Sequence, residues 1–191
     1  MRVKICGITT PDDASIAEAA GADLIGVVLH SVSPRCVAPE MAREIFNAVP
    51  AMTRVCVTHS TRAEDLQEIC ALRPDAIQVS GSAAVPLSCR ARVIRMVAPG
   101  EAVPMDADGL IVDGSHGSGR PYDVAFASAV ISISRVPVFL AGGLTPGNVA
   151  VAIQAVRPSG VDVASGVELA PGKKDPEKVQ AFVEAAKRVI I

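Results

Sequence analysis

The chain has 191 residues, a formal net charge of −2 and an apolar half, which suits one domain of ordinary size and excludes a disordered chain. It carries no basic tail or stripe, which argues against a nucleic-acid partner, and no apolar run long enough to cross a membrane. Aromatic residues make up 3% and tryptophan is absent, so the core must be built from small and β-branched side chains, as in a buried parallel sheet.

The chain opens on a strand at 2–6, after which Thr10-Pro11-Asp12-Asp13 supplies a cap, a first-turn proline and two acids for a helix that Gly21 ends. Strands follow at 24–29 and 54–58. Thr61 and Glu64 form a capping box ahead of Leu66, Ile69 and Cys70, and Arg73-Pro74 closes that helix. Strands at 76–79 and 93–97 come next, and the two prolines and one glycine between Val97 and Gly109 predict that the helix after the fifth strand is short or missing. The sixth and seventh strands are expected at 109–113 and 138–141, with a helix signalled by Thr145-Pro146. The eighth lies at 161–164, and Asp175-Pro176 opens the last helix.

Eight apolar runs separated by helical patterns, with no linker between them, predict α/β architecture. The expected fold is a single (β/α)8 TIM barrel over residues 1–191. The alternative, an open doubly wound sheet, has neither a Gly-x-Gly-x-x-Gly after the first strand nor a Walker motif to support it.

Five cysteines, at 6, 36, 56, 70 and 89, include no CxxC pair. The chain enters its first strand without a leader pattern, which predicts a cytoplasmic protein whose cysteines are all free thiols, Cys56 and Cys70 serving as packing. No two of His30, His59 and His116 have metal-ligand spacing, so no metal is expected and each histidine reads as a surface or hydrogen-bonding residue.

In such a barrel the active site forms at the C-terminal ends of the strands, and the unusual residues gather there: Cys6, Ser33-Pro34-Arg35, Gln78, Arg95, Asp113, Gly142-Gly143 and Ser165-Gly166. A glycine after one strand makes a tight turn. Paired on the seventh and eighth strands, Gly142, Gly143, Ser165 and Gly166 offer backbone N–H groups to a phosphate. Gly117 and Gly119, beyond Asp113, add N–H groups, permit loop closure, or form a solvated turn. Asp113 ends an apolar strand, where partial desolvation favours a proton-donating carboxyl; a helix cap or a partner for Arg35 are the other readings. Cys6 is inert packing, or a thiolate favoured by Lys4 or Arg35. Lys4 points to the same side of its strand as Cys6, lower in the barrel.

Taken together, KICGIT at 4–9, SPR at 33–35, DAIQVSG at 75–81, LIVDGSHGSG at 110–119, LAGGLTPGNV at 140–149 and GVDVASGVE at 160–168, followed by Gly172-Lys173-Lys174-Asp175, resemble the phosphoribosylanthranilate isomerase family in order and across the chain. The resemblance implies the Amadori rearrangement of a phosphorylated aminoaldose in tryptophan biosynthesis, without metal or organic cofactor. It implies Cys6 as general base, Asp113 as general acid, Arg35 and Gln78 at the substrate, and the glycines at its phosphate. Departures stand at Ser80, His116, Ser118 and Val124, where the family commonly has other residues, and the His30 loop lacks the family's usual aromatic residue. An isomerase of a related phosphoribosyl aminoaldose would carry an aspartate where Cys6 stands. A non-catalytic phosphate-binding barrel would be free to lose both Cys6 and Asp113. The expected partner is a small phosphorylated molecule, and the chain is a monomer or homodimer.

Overall fold

In a computed structural model that describes residues 1–81, 83–113 and 122–190, eight parallel strands close into a barrel in chain order. They are β1 (Arg2–Cys6), β2 (Leu24–Val28), β3 (Thr53–Val57), β4 (Ala76–Ser80), β5 (Arg92–Val97), β6 (Gly109–Asp113), β7 (Val138–Ala141) and β8 (Gly160–Val163). Every strand expected from the sequence is present, displaced by no more than a residue at either end. Six helices surround them among the described residues: α1 (Pro11–Ala19), α2 (Pro39–Ala48), α3 (Ala63–Ala71), α4 (Val124–Ile133), α5 (Val149–Val156) and α6 (Pro176–Lys187). A short hairpin, β9 (Glu168–Ala170) with β10 (Lys173–Lys174), follows β8. Among the described residues no helix is long and apolar enough to cross a membrane.

Helix starts follow local chemistry in some places and depart from it in others. Thr10 caps α1 by accepting from the Asp13 N–H, and Asp175 caps α6 by accepting from Glu177 and Lys178. The capping box at Thr61 does not form. Arg62 is the N-cap of α3, and Ser60, not Thr61, organises the turn, accepting from the Arg62 N–H at 3.2 Å and bonding Asp65 at 2.5 Å. Thr145-Pro146 likewise does not begin a helix: the Thr145 N–H is taken by the Asn148 side chain at 2.8 Å, and the turn this makes delays α5 to Val149.

Two connections, not one, lack a helix among the described residues: that between β4 and β5 as well as the expected one between β5 and β6. Arg95 fills the vacated wall. Residues alternate across a strand, so Met96 faces the mouth and Arg95 faces outward, contrary to its expected place at the site. Its Nη1 donates to the carbonyls of Ser80, Gly81 and Ala83 at 3.3, 3.1 and 2.9 Å, and its Nη2 to Asp106 at 2.7 Å. The second substitute is covalent. Cys70, in the last turn of α3, and Cys89, just ahead of β5, are joined in a disulfide. This corrects the expectation of free thiols: residues 19 apart in sequence meet because the missing helix lets the connection run against the end of α3.

The core has two shells. Val3, Ile5, Ile25, Val27 and their equivalents face the helices, while Leu24, Val28, Val55, Val57, Ile94, Ile111 and Phe139 fill the barrel. Fully burying one such side chain contributes about 1.5–3 kcal/mol. Phe139 is accommodated because its neighbour is Gly160, where a Cβ would stand 2.5 Å from the ring. At the base of the barrel one arrangement recurs four times. The residue before each even strand donates its N–H to the preceding odd strand: Asp23 to Val3, Asp75 to Arg54, Asp108 to Val93 and Ser159 to Val138. Its side chain accepts the N–H of that same partner, at 2.8, 2.8, 2.7 and 3.3 Å.

Candidate active site

The strand ends open on one cavity. Cys6 of β1, Gln78 of β4 and Asp113 of β6 line it, with Arg35 from the connection after β2. Gly142, Gly143, Ser165 and Gly166 line the side formed by β7 and β8. Eight of the ten candidate residues thus share one mouth; the other two, Gly117 and Gly119, lie outside the described residues. His59 also faces the cavity. His30 is set against α3 instead, its Nε2 2.9 Å from the Glu68 carboxylate.

Beneath Cys6 the barrel contains charge. Lys4 is 1% exposed, and its Nζ donates to Gln78 Oε1 and to Asp162 Oδ1, each at 2.9 Å. Burial alone would lower its pKa, but Asp162 and then Cys6 outweigh that, and the ammonium is held above its ordinary value. Burial pushes the Cys6 thiol above its ordinary value; Lys4 and Lys174 pull it down against that, and Asp162 adds to the rise. Cys56, buried with only Arg54 opposing, is pushed up to about 12, as suits a packing residue. The room for Cys6 and Lys4 comes from β2: a Cβ on Gly26 would lie 2.9 Å from Cys6 Sγ and 3.1 Å from Lys4 Nζ.

A second charged chain crosses the rim. The Arg35 guanidinium grips Glu168 with a fork, Nε to Oε1 at 2.8 Å and Nη2 to Oε2 at 2.7 Å. Its aliphatic stem lies over Gly7, where a Cβ would overlap Cδ. Lys174 Nζ donates to Glu168 Oε1 at 2.9 Å and to the Cys6 carbonyl at 2.6 Å. Burial would raise the Glu168 carboxyl, but the hydrogen bonds from Arg35 and Lys174 prevail and hold it below the ordinary range. The β9–β10 hairpin is thereby tied to the end of β1.

Opposite, the backbone itself forms the wall. Gly142 and Gly143 have φ of 97° and 58°, a region that side chains disfavour. Gly166 passes so close to the Leu144 carbonyl that a Cβ would overlap its oxygen. A chain so shaped can approach an anion closely.

Lys4 lies below Cys6 on the same side of its strand, as expected from the sequence, whereas Asp162, Glu168 and Lys174 were not foreseen as site residues, although the motifs GVDVASGVE and GKKD contain them. The available signal for Asp162 was a charge within an apolar strand, GVDV, as Lys4 is in RVKIC.

A thiol and a carboxyl at one polar mouth, below a glycine wall on β7 and β8, define a (β/α)8-barrel enzyme with its site at the strand ends. A sequence model described as N-(5'phosphoribosyl)anthranilate (PRA) isomerase matches residues 3–185. The chain is 53% identical over 189 residues to N-(5'-phosphoribosyl)anthranilate isomerase of Methanoregula boonei, covering 98% of this chain and 97% of that one. It superposes on the crystal structure of phosphoribosyl anthranilate isomerase from Thermus thermophilus with a TM-score of 0.85 at 36% identity, over 98% of each chain. A phosphoribosyl anthranilate isomerase crystallised with reduced 1-(o-carboxyphenylamino)-1-deoxyribulose 5-phosphate matches with a TM-score of 0.78 at 32% identity, covering 99% of this chain and all of that one. This chain belongs to the phosphoribosylanthranilate isomerase family.

Proposed function

We propose that the chain converts N-(5-phosphoribosyl)anthranilate into 1-(2-carboxyphenylamino)-1-deoxyribulose 5-phosphate, with Asp113 as acid and Cys6 as base. The observation that carries this assignment is the presence of both side chains in one cavity whose far wall is glycine backbone, in a chain of this family. Asp113 gives its proton to the ribose ring oxygen, and the bond from that oxygen to C1′ breaks, leaving a protonated Schiff base. The Cys6 thiolate then takes the C2′ proton. The C–H electron pair forms C1′=C2′, and the iminium electrons return to nitrogen. The resulting enolamine loses its hydroxyl proton and gains one at C1′, giving the ketone. Atoms and electrons balance within the substrate, so no oxidant or reductant enters.

Each wall of the cavity suits one part of that substrate. The N–H groups of Gly142, Gly143, Ser165 and Gly166 hold the phosphate, fixing the sugar between β1 and β6. Arg35, whose Nε and Nη2 are committed to Glu168, faces the anthranilate end with its remaining nitrogen. Gln78 faces the same cavity from β4.

The direct test mixes purified protein with freshly generated phosphoribosylanthranilate and follows the loss of its fluorescence. The wild-type chain consumes it, whereas Cys6→Ser and Asp113→Asn each lower turnover by about 100-fold or more with unchanged circular dichroism. Near-wild-type turnover in either variant removes that residue from its role, and no reaction at micromolar wild-type enzyme removes the activity.

A further inference from the structure

We infer that Lys4 is a positioning residue for Cys6: its buried ammonium, in the barrel beneath the thiol, stabilises the thiolate form of that side chain. The inference rests on the reading of Cys6 as base. An ammonium has three N–H donors, and in this lumen Lys4 spends two of them on Gln78 Oε1 and Asp162 Oδ1, each at 2.9 Å, with the Cys6 sulfur beside it on the same face of β1, both lying against Gly26. Those two acceptors are fixed within the barrel. The sulfur sits at the mouth and is a strong acceptor only as the thiolate. Gln78 matters for what it withholds, since it satisfies one N–H without adding charge, so among the described residues Asp162 is the one carboxylate hydrogen-bonded to Lys4.

The surrounding charges point the same way. Cys6 is faced by Lys4 on β1, Asp162 on β8, Lys174 on β10 and Arg35 after β2, with Glu168 bridging the last two. Asp113, across the mouth, acts electrostatically on Asp162. Among the groups set directly against Cys6 the cations outnumber the carboxylates, three to two, which favours a negative charge on the sulfur. Gly26 keeps sulfur and ammonium together, since no side chain separates them on the β2 side.

The test reads the thiol directly. Alkylation of Cys6 by iodoacetamide is followed against pH by mass spectrometry of its peptide, which distinguishes it from Cys36 and Cys56. Lys4→Met raises the midpoint by about one pH unit or more. Lys4→Arg, which keeps the cation, stays close to wild type. Lys4→Gln combined with Asp162→Asn removes both charges while keeping the shape; since Lys4 lowers the thiol by more than Asp162 raises it, the midpoint still moves upward, by less than in Lys4→Met, and this pair decides the matter if Lys4→Met does not fold. A merely structural lysine gives one of two other results, either of which overturns the inference: Lys4→Arg shifts as far as Lys4→Met, or the folded charge-free variants titrate at the wild-type midpoint. Turnover of Cys6→Ser separates the two failures. If that variant is fully active, the base reading falls while the alkylation result on Lys4 stands.

Discussion

Replacing Gly26 by alanine tests the geometry of the site without removing any of its functional groups. The added Cβ would lie 2.9 Å from Cys6 Sγ, 3.1 Å from Lys4 Nζ and 3.2 Å from the Cys6 Cα. A comfortable non-bonded contact is about 3.5 Å or more, so the sulfur has to retreat by about 0.6 Å, and the backbone contact prevents the β1 strand from taking up all of the motion. Overpacking of this kind costs about 1–3 kcal/mol, which in a chain of this size lowers Tm by about 2–12 °C. The catalytic cost is larger in proportion, since a misplacement of about 1 Å can cost about 100-fold in rate, and half of that displacement about tenfold. The assay is kcat and KM from the fluorescence decay, beside a thermal melt. The expected result is a fall in kcat with KM nearly unchanged, because the phosphate wall on β7 and β8 is untouched. Wild-type kcat in a folded Gly26→Ala would refute the placement of Cys6 against β2.

Three further outcomes follow from other features of the structure. Without reductant, Cys6, Cys36 and Cys56 are the free cysteines, and denatured protein titrates three thiols; reduction or Cys89→Ser removes a cross-link worth about 3 kcal/mol and lowers Tm by about 6–12 °C. Turnover below the melt is unchanged, and five thiols without reductant would dismiss the cross-link. Glu168→Gln leaves Arg35 and Lys174 without their shared carboxylate and destabilises the chain by about 3 kcal/mol at neutral pH, measured by denaturant titration. The Glu168 carboxyl is held below its ordinary value, so its stabilisation is present above the ordinary glutamate range and is lost as pH falls through the folded value. The gap between wild type and Glu168→Gln therefore narrows in acid, and a gap independent of pH would contradict the assignment. Arg95→Met leaves the carbonyls of Ser80, Gly81 and Ala83 without their guanidinium and lowers stability by about 2 kcal/mol, whereas KM is preserved because the side chain faces away from the mouth; a raised KM with intact stability would place it in the site after all.

The strands were legible because their signal is local: a β-branched run such as LIGVV or VFLA has no other use in a chain with so few aromatics. Cys6, Asp113 and the glycines were legible for the same reason, since each ends or follows such a run, and Gln78 as a polar residue inside one. What escaped depends on closure. Whether Lys4 meets Asp162 is decided by β8 lying beside β1, a relation between residues 158 apart that no local window contains. The Cys70–Cys89 cross-link needed the absence of a helix after β4 to be known first. Arg95 was misplaced by counting to the end of its strand instead of counting faces. Thr61 and Thr145 read as caps because their side chains could cap; Ser60 and Asn148 organise those turns instead.

The four reciprocal hydrogen-bond pairs at the barrel base divide the chain into quarters, each an odd strand locked to the even strand after it. Among the described residues no such side-chain lock joins an even strand to the next odd one, so β2–β3, β4–β5 and β6–β7 are seams. New chain ends placed at a seam leave every quarter whole, whereas ends between β1 and β2 cut through one. The two wrapping helices this chain lacks fall on different sides of that division. The one missing inside a quarter, between β5 and β6, leaves strands still joined through Asp108 and Val93 and braced by Arg95. The one missing at a seam has no such lock; there Arg95 reaches back to the carbonyls of Ser80, Gly81 and Ala83, and the disulfide ties the connection to α3.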